Sequence, residues 1–196
     1  MKNKKISGLL YTAVMGVAVL SLASCAEKKF RVSGTITQAK DSVLYLENMS
    51  LNGPKAVDSV KLDENGEFEF KQKAPEAPEF YRLRIANQMV NLAVDSTENI
   101  TVKAAYPTMS ANYEVSGSEE CTKIRDLAYM QLELQTHVAA IANSSSLGVQ
   151  AVEDSVAKVL EVYKNKVKLN YIFKEPMKAY SYYALFQTIV LGNANI

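Results

Sequence analysis

The chain has 196 residues, of which 48% are hydrophobic and 22% are charged; this composition is ordinary for a folded protein and excludes a disordered chain. Its 22 basic and 21 acidic residues give a formal net charge of +1 at pH 7. The chain therefore lacks the excess of basic residues that would indicate nucleic acid as a partner. A chain of this length can bury one good hydrophobic core or two small ones.

The first 24 residues have the three parts of a secretory leader. Three lysines lie within the first five positions, an apolar run extends from Ile6 to Leu22, and two small residues follow. The tetrad "LASC", which ends at Cys25, resembles the lipobox of bacterial lipoproteins. That resemblance implies that residues 1–24 are removed as a lipoprotein signal peptide and that Cys25 becomes an acylated N-terminus. Removing 24 of the 196 residues, three lysines among them, leaves 172 residues with 19 basic and 21 acidic side chains.

Acyl chains at Cys25 would make the membrane a partner of this chain. Each buried methylene contributes ~0.8 kcal/mol, so two or more chains anchor a protein stably. Residues 25–29 would form a short tether, in which Glu27 is the only acidic residue. Surface-exported lipoproteins of bacteroidete-type bacteria tend to carry an acidic cluster there, so we expect an outer-membrane anchor facing the periplasm, with the cell surface as the other possibility. The alternative to cleavage is an uncleaved membrane helix, because about 17 to 19 apolar residues approach the length that spans a bilayer.

Residues 30–117 are typical of short β-strands separated by turns. Apolar side chains recur in "FRVSGTI", "SVLYLEN", "AVDSVKL", "EFEFKQ", "FYRLRIA", "MVNLAVD", "NITVKA" and "NYEVSGS". Apolar residues at every second position, such as Phe68 and Phe70, are what a half-buried strand requires. Seven to eight strands at this spacing predict two packed antiparallel sheets or a barrel, and we favour the antiparallel β-sandwich.

Turn residues divide these strands. Asp63-Glu64-Asn65-Gly66 predicts a hairpin, because Asn-Gly supplies the positive φ angles that a tight turn needs. Residues 86–88 and 95–99 are further predicted turns, and "KAPEAPE" at 73–79 is a proline-bearing linker.

Residues 118–196 are predicted to be an α-helical region, because the apolar period changes at Ser118 to that of a helix. One helix opens with the acidic "GSEEC", and a second places Val149, Val156 and Tyr163 on one stripe. The break "NSSSLG" between them predicts a helical hairpin. The last segment, "MKAYSYYALFQTIVLGNANI", is apolar on all sides of a third helix, which we therefore expect to be buried. Either this helix packs deep against the other elements, or the natural chain continues into a domain missing here.

These segments together resemble the N-terminal domain of unknown function of bacteroidete lipoproteins. The likeness rests on the lipobox cysteine and on "FRVSGTI", "VDSVKLDENGEFEFK", "EFYRLRI", "VNLAVDSTENITV", "YEVSGSE" and "NYIFKEPMKAYSYYALF". In that family the domain typically precedes a thioredoxin-like domain of the alkyl hydroperoxide reductase and thiol-specific antioxidant type, whose chemistry rests on Cys-x-x-Cys. This sequence has no Cys-x-x-Cys, so no catalytic residue carries over. The resemblance implies an accessory module whose helical region connects to a thioredoxin-like domain.

No group of residues predicts catalysis, a metal site or a cofactor. His137 is the single histidine and lies within a predicted helix without partners of the kind that metals need, so we expect a packed or surface residue. The carboxylate pairs Asp95 with Glu98 and Asp63 with Glu64 lie in predicted turns, where such residues serve the backbone.

Cys121 is the only free thiol once Cys25 is acylated, so no intramolecular disulfide can form. At a helix start the dipole could lower its pKa and make it reactive. Free cysteine is, however, among the most buried residue types, and we expect a small buried side chain that faces the sheet.

Repeated Asp-Ser steps resemble the Asp-Ser/Thr-apolar acceptor for O-glycosylation in bacteroidete exported proteins. They would place the modification at Ser42, Ser59, Ser96 and Ser155. The other interpretation is that Asp-Ser starts strands and caps helices. The intact mass of the native protein separates the two, since a glycan adds to the mass of the lipidated polypeptide.

We expect a lipid-anchored, non-catalytic module of an envelope thiol:disulfide oxidoreductase-type lipoprotein, with its enzymatic domain outside this chain. Its partners would be the membrane and a thioredoxin-like domain or envelope protein. The alternative is a free-standing envelope lipoprotein that binds a glycan, a peptide or a protein. An enzyme that uses Cys121 and His137 is a third possibility. A Cys-x-x-Cys encoded beyond Ile196 would favour the first, and a stop codon the second.

Overall fold

The computed structural model describes residues 27–50, 52–144 and 148–193. Within these ranges the protein is mixed α/β, with eight strands followed by three α-helices. The strands are β1 (Lys29–Thr37), β2 (Val43–Ser50), β3 (Gly53–Lys61), β4 (Glu67–Lys73), β5 (Glu79–Ile85), β6 (Gln88–Val94), β7 (Asn99–Ala105) and β8 (Tyr113–Ser116). The helices are α1 (Glu119–Ala142), α2 (Val149–Val167) and α3 (Ala179–Asn193); a 3-10 turn (Tyr106–Thr108) precedes β8, and a π-helical turn (Lys168–Ile172) follows α2.

The strands form two four-stranded sheets, ordered β4-β1-β7-β8 and β3-β2-β5-β6. Neighbouring strands are antiparallel except β1 and β7, which run parallel with Arg31 opposite Asn99. The prediction of antiparallel pairing throughout is wrong for this pair. The reason lies in the connection between the sheets. The chain leaves β6 in the second sheet and enters the first sheet at the end where β1 begins, so β7 runs in the same direction as β1.

The predicted hairpin at Asp63–Gly66 is also wrong, because β3 pairs with β2 whereas β4 pairs with β1. The turn instead carries the chain from one sheet to the other. Its local chemistry is as expected: the Asp63 carboxylate accepts the backbone N–H groups of Asn65 at 2.9 Å and Gly66 at 3.0 Å. Gly66 has φ +68°, and a Cβ there would lie 2.0 Å from the Ile36 carbonyl oxygen.

Buried side chains of both sheets belong to one hydrophobic cluster. The alternation predicted for β1 is confirmed, since Phe30, Val32 and Ile36 are each at most 1% exposed. The ring of Phe30 lies 5.0 Å from that of Tyr81 on β5, so the two sheets contribute to the same core. Burial of such apolar surface, at roughly 25 cal/mol per Å², is the main force that holds these strands together.

Helix α1 begins where predicted, since the Ser118 hydroxyl accepts the Cys121 N–H at 3.3 Å as an N-cap. It packs against β6 and β8, which are edge strands of the two different sheets. A second hydrophobic cluster joins the three helices and includes Leu134, Tyr163 and Ala184. Within the described ranges, none of the helices combines the length and apolarity needed to cross a membrane.

Of the two arrangements predicted for the third helix, deep packing against the other elements is wrong within the described ranges, whereas continuation into a further domain stays a prediction. Ala179, Tyr180 and Ala184 are at most 2% exposed, but Phe186 on the opposite side is 65% exposed. The other described elements cover one side of α3 only, so its apolar composition exceeds the surface available to bury it.

Candidate functional site

The inner side of α3 is fixed to α1 by a buried carboxylate. The Tyr180 backbone N–H donates to Glu120 at 2.9 Å, and the Lys178 ammonium lies 3.8 Å from the other oxygen of this carboxylate. Glu120 is only 5% exposed. Tyr180 lies in the first turn of α3, where the backbone N–H groups have no partner within the helix. The Glu120 carboxylate accepts one of these N–H groups and lies at the positive end of the α3 dipole. The start of α3 is therefore held in place beside the start of α1.

Polar contacts further along α3 fix its rotation about its own axis. The Asn91 side-chain amide of β6 donates to the Tyr183 hydroxyl at 3.0 Å, and the Gln187 amide donates to Gln131 of α1 at 2.9 Å. The Tyr183 ring also lies 6.1 Å from that of Phe80 on β5. These contacts to both a sheet and a helix leave the opposite side of α3 facing outward.

The outward side of α3 is a continuous apolar surface, which we call the α3 stripe. Its members recur at the spacing of one helix face and are each between 43% and 65% exposed: Tyr182, Leu185, Phe186, Ile189 and Val190. No residue of α3 is charged. Contiguous exposed apolar surface is uncommon on monomeric soluble proteins and marks sites of interaction. The α3 stripe is the candidate functional site of this protein.

Cys121 is buried as predicted, with no exposed surface. Its thiol donates to the Ala93 carbonyl oxygen of β6 at 3.2 Å. Burial raises the pKa of the Cys121 thiol to about 11, in spite of the N-cap of Ser118. A thiol in this environment is almost entirely protonated at neutral pH and is a poor nucleophile.

The other titratable candidates lie on the surface or in a turn. His137 lies on the exposed surface of α1. The Glu98 carboxylate accepts the backbone N–H of Ser96 at 3.1 Å within the turn before β7, and burial together with the neighbouring Asp95 raises the pKa of Glu98. Within the described ranges, no three side chains of the histidine, cysteine or acidic types are grouped as a metal site requires.

The predicted modification sites are not brought together. Cys25 and the leader lie outside the described residues. Ser59 on β3 and Ser96 in the β6–β7 turn are exposed, whereas Ser42 and Ser155 are partly buried. The Ser155 hydroxyl donates to the Ala151 carbonyl within α2 at 2.6 Å, which is a local helix contact.

A buried ion pair on the second sheet was not found from the sequence. Glu47 of β2 is 5% exposed and accepts hydrogen bonds from Arg82 and Arg84 of β5. Burial acts to raise the pKa of the Glu47 carboxyl, but the hydrogen bonds from Arg84 and Arg82 outweigh it and hold this pKa below its ordinary value. The Arg84 guanidinium also lies 4.6 Å from the centre of the Tyr45 ring. The sequence signal that could have predicted this ion pair is the single acid in the apolar strand β2 together with two arginines, two residues apart, in β5.

The strand-bearing part of the chain matches a family of known sequences. Residues 30–123 match the family described as domain of unknown function (DUF4369). The segment that matches DUF4369 therefore contains the two sheets and the first residues of α1, whereas α2 and α3 follow it. No curated protein matches the chain. The α3 stripe lies outside the matched segment.

Proposed function

We propose that this chain is a lipid-anchored, non-catalytic accessory module of an envelope thiol:disulfide oxidoreductase-type lipoprotein, whose catalytic domain is not in this chain. Acyl chains at Cys25 hold the module at the outer membrane, on the periplasmic side. The segment that matches DUF4369 is the rigid body of the module. Helix α3 presents the surface on which a thioredoxin-like domain docks.

The observation that carries this proposal is the α3 stripe. Its inner side is fixed by Glu120, Asn91 and Gln131, so the stripe is displayed by a rigid element and needs no rearrangement to bind. The absence of charge along the whole of α3 suits a protein interface core, because charged residues are depleted there. Aromatic side chains such as Phe186 and Tyr182 are the usual anchors of such interfaces.

We infer in addition that the two sheets face each other as an antiparallel β-sandwich apart from the β1–β7 pair, and that α1 and α2 form a helical hairpin. The shared hydrophobic cluster and the Phe30–Tyr81 ring contact support the first inference. The packing of Tyr163 of α2 into the cluster that holds Leu134 of α1 supports the second.

Photo-crosslinking in intact cells tests the docking surface. A photoreactive amino acid replaces Phe186 in the stripe, and the matched control replaces Val149, which is 78% exposed at the start of α2. We expect position 186 to crosslink to a thioredoxin-like domain, either a segment of the same polypeptide or a separate protein, and position 149 not to do so. Crosslinks from both positions to the same proteins, or none to a thioredoxin-like domain from position 186, would contradict the proposal.

Two further measurements test the remaining parts of the proposal. The reading frame beyond Ile196 should encode a Cys-x-x-Cys in a strand–helix context. Metabolic labelling with palmitate should mark the wild-type protein and leave Cys25→Ala unmarked. If the frame stops after Ile196 and position 186 crosslinks to another envelope protein, the alternative of a free-standing binding lipoprotein is favoured, because the same stripe would then serve a separate partner.

A further inference from the structure

A second exposed apolar surface lies in the segment between α2 and α3. Leu169, Phe173 and Met177 are 66%, 67% and 79% exposed, and we call these three residues the apical patch. They are among the most exposed large apolar side chains of the described chain. The patch borders the α3 stripe where the Tyr182 hydroxyl lies 4.0 Å from the Met177 sulfur.

The apical patch lies beside the start of α1. Lys178 and Tyr180 both contact Glu120 in the first turn of α1, at 3.8 Å and 2.9 Å. The Lys123 ammonium lies 6.0 Å from the ring of Tyr171, in the π-helical turn that carries Leu169. The segment from the π-helical turn to α3 is therefore folded over the first turns of α1.

The start of α1 is in turn close to the place where the chain enters β1. Gly117, just before α1, is packed against β7, since a Cβ there would lie 1.9 Å from the Asn99 carbonyl oxygen. Arg31 of β1 donates its backbone N–H to the Glu98 carbonyl, next to Asn99, at 2.9 Å. Since neighbouring strands are about 4.8 Å apart, these steps place the apical patch and the first residues of β1 at one end of the molecule.

A short tether would hold this end of the molecule against a membrane. Four residue steps separate Cys25 from Lys29, the first residue of β1, and they span at most about 14 Å when fully extended. An acylated Cys25 therefore cannot let the end that carries Lys29 move far from the lipid headgroups. The surfaces at that end are the ones held nearest to the bilayer, and the apical patch is one of them.

The charges around the apical patch suit an anionic lipid surface. Lys168 and Lys174 are exposed beside Leu169 and Phe173. The segment from Lys168 to Lys178 contains three lysines and one acid, Glu175, whose carboxylate accepts the Tyr180 hydroxyl at 2.6 Å. This arrangement is typical of an interfacial membrane contact. Apolar side chains enter the headgroup region while flanking lysines reach the phosphates.

We propose that the apical patch is a second membrane contact, which rests in the headgroup region of the bilayer and orients the module on its lipid anchor. This inference rests on the proposed acylation of Cys25. The patch is covered by the lipid surface, and the α3 stripe beyond Tyr182 remains available for a protein partner.

Fluorescence of single-tryptophan variants tests the contact, because the chain contains no tryptophan. Full-length lipidated Phe173→Trp is reconstituted in vesicles of phosphatidylglycerol and phosphatidylethanolamine, with and without brominated phosphatidylcholine. The control is Val149→Trp, at a position that is also exposed but lies about 27 Å from the patch-bearing end of α2, at 1.5 Å per helical residue. We expect the indole of Phe173→Trp to emit at shorter wavelength and to be quenched by the brominated lipid. The indole of Val149→Trp should be quenched by aqueous iodide instead.

The outcomes separate this inference from the anchor itself. If neither variant floats with the vesicles, the anchor proposal fails, and the inference with it. If both float but the Phe173→Trp fluorescence is quenched by iodide and not by brominated lipid, the anchor stands and the membrane contact is overturned. If the Phe173→Trp fluorescence is shielded from both quenchers, a protein surface covers the patch, which also overturns the lipid contact.

Discussion

Strand β1 and helix α3 both carry large apolar residues, but they bury them to different extents. In β1 the apolar residues alternate with polar ones, and Phe30, Val32 and Ile36 all enter the core. In α3 they surround the helix, and only one side finds a place against α1 and the second sheet. The comparison teaches that an apolar side chain is buried only where another element supplies a complementary surface. The uncovered apolar surface of α3 is therefore available for interaction, whereas the apolar side chains of β1 stabilise the core.

The largest effect is expected from the close approach of β1 and β7. A Cβ at Gly34, which has φ +152°, would lie 1.7 Å from the Val102 carbonyl oxygen. Gly34→Ala must therefore separate the parallel strands, and we expect the free energy of unfolding to fall by more than ~4 kcal/mol. Chemical denaturation monitored by circular dichroism measures it. The control is Gly53→Ala, where φ is +99° but no atom lies within 4 Å, and we expect a cost of about 1–3 kcal/mol from backbone strain alone.

The two sides of α3 should differ next. Tyr180 is 1% exposed, so Tyr180→Ala removes a packed ring and should destabilise the protein by about 3–5 kcal/mol in urea unfolding. Phe186→Ala, in the α3 stripe, should change the free energy of unfolding by less than ~0.5 kcal/mol in the isolated protein. Equal losses for the two variants would show that the stripe is a structural surface, and the docking proposal would lose its basis.

A smaller effect, dependent on pH, is expected from the Glu47 ion pair. Glu47→Gln leaves Arg82 and Arg84 without their anion and should cost about 1–3 kcal/mol at pH 7. Because the pKa of Glu47 is lowered in the folded protein, its contribution is present above the unfolded-state value and is lost as pH falls through the folded-state pKa. The stability difference between wild type and Glu47→Gln should therefore shrink below about pH 4. A difference that stays constant down to about pH 2 would be inconsistent with this ion pair.

The last prediction changes no residue and concerns the reactivity of the native Cys121 thiol. With the pKa of Cys121 raised to about 11, its thiolate fraction at pH 8 is about 100-fold lower than that of an ordinary cysteine. We expect Cys121 to react with a disulfide reagent at least ~100-fold more slowly than the same chain in guanidinium. Reaction at the rate of free cysteine would point to a reactive thiol and reopen an enzymatic role for Cys121.

The β-region was predicted well because its signals are local. Alternation at period two marks which side chains face the core, and the Ser118 N-cap marks the start of α1. The partner of each strand is not a local property, so the Asp63–Gly66 turn was predicted as a hairpin although its local hydrogen bonds are those expected. The sequence predicted no functional site on α3, and this helix was expected to be buried. Periodicity reports how apolar a helix is and contains no information on how many neighbours cover it.

The sequence by itself determined the strand and helix segments, the burial of Cys121 and the charge-free character of α3, because each depends on residue type and spacing within a few turns of chain. Only the tertiary structure decided the parallel pairing of β1 with β7, the Glu47–Arg82–Arg84 contact and the side of α3 that remains uncovered. These features depend on segments far apart in the chain meeting at fixed distances. Such long-range contacts depend on the packing of all elements together, and no single stretch of residues specifies them.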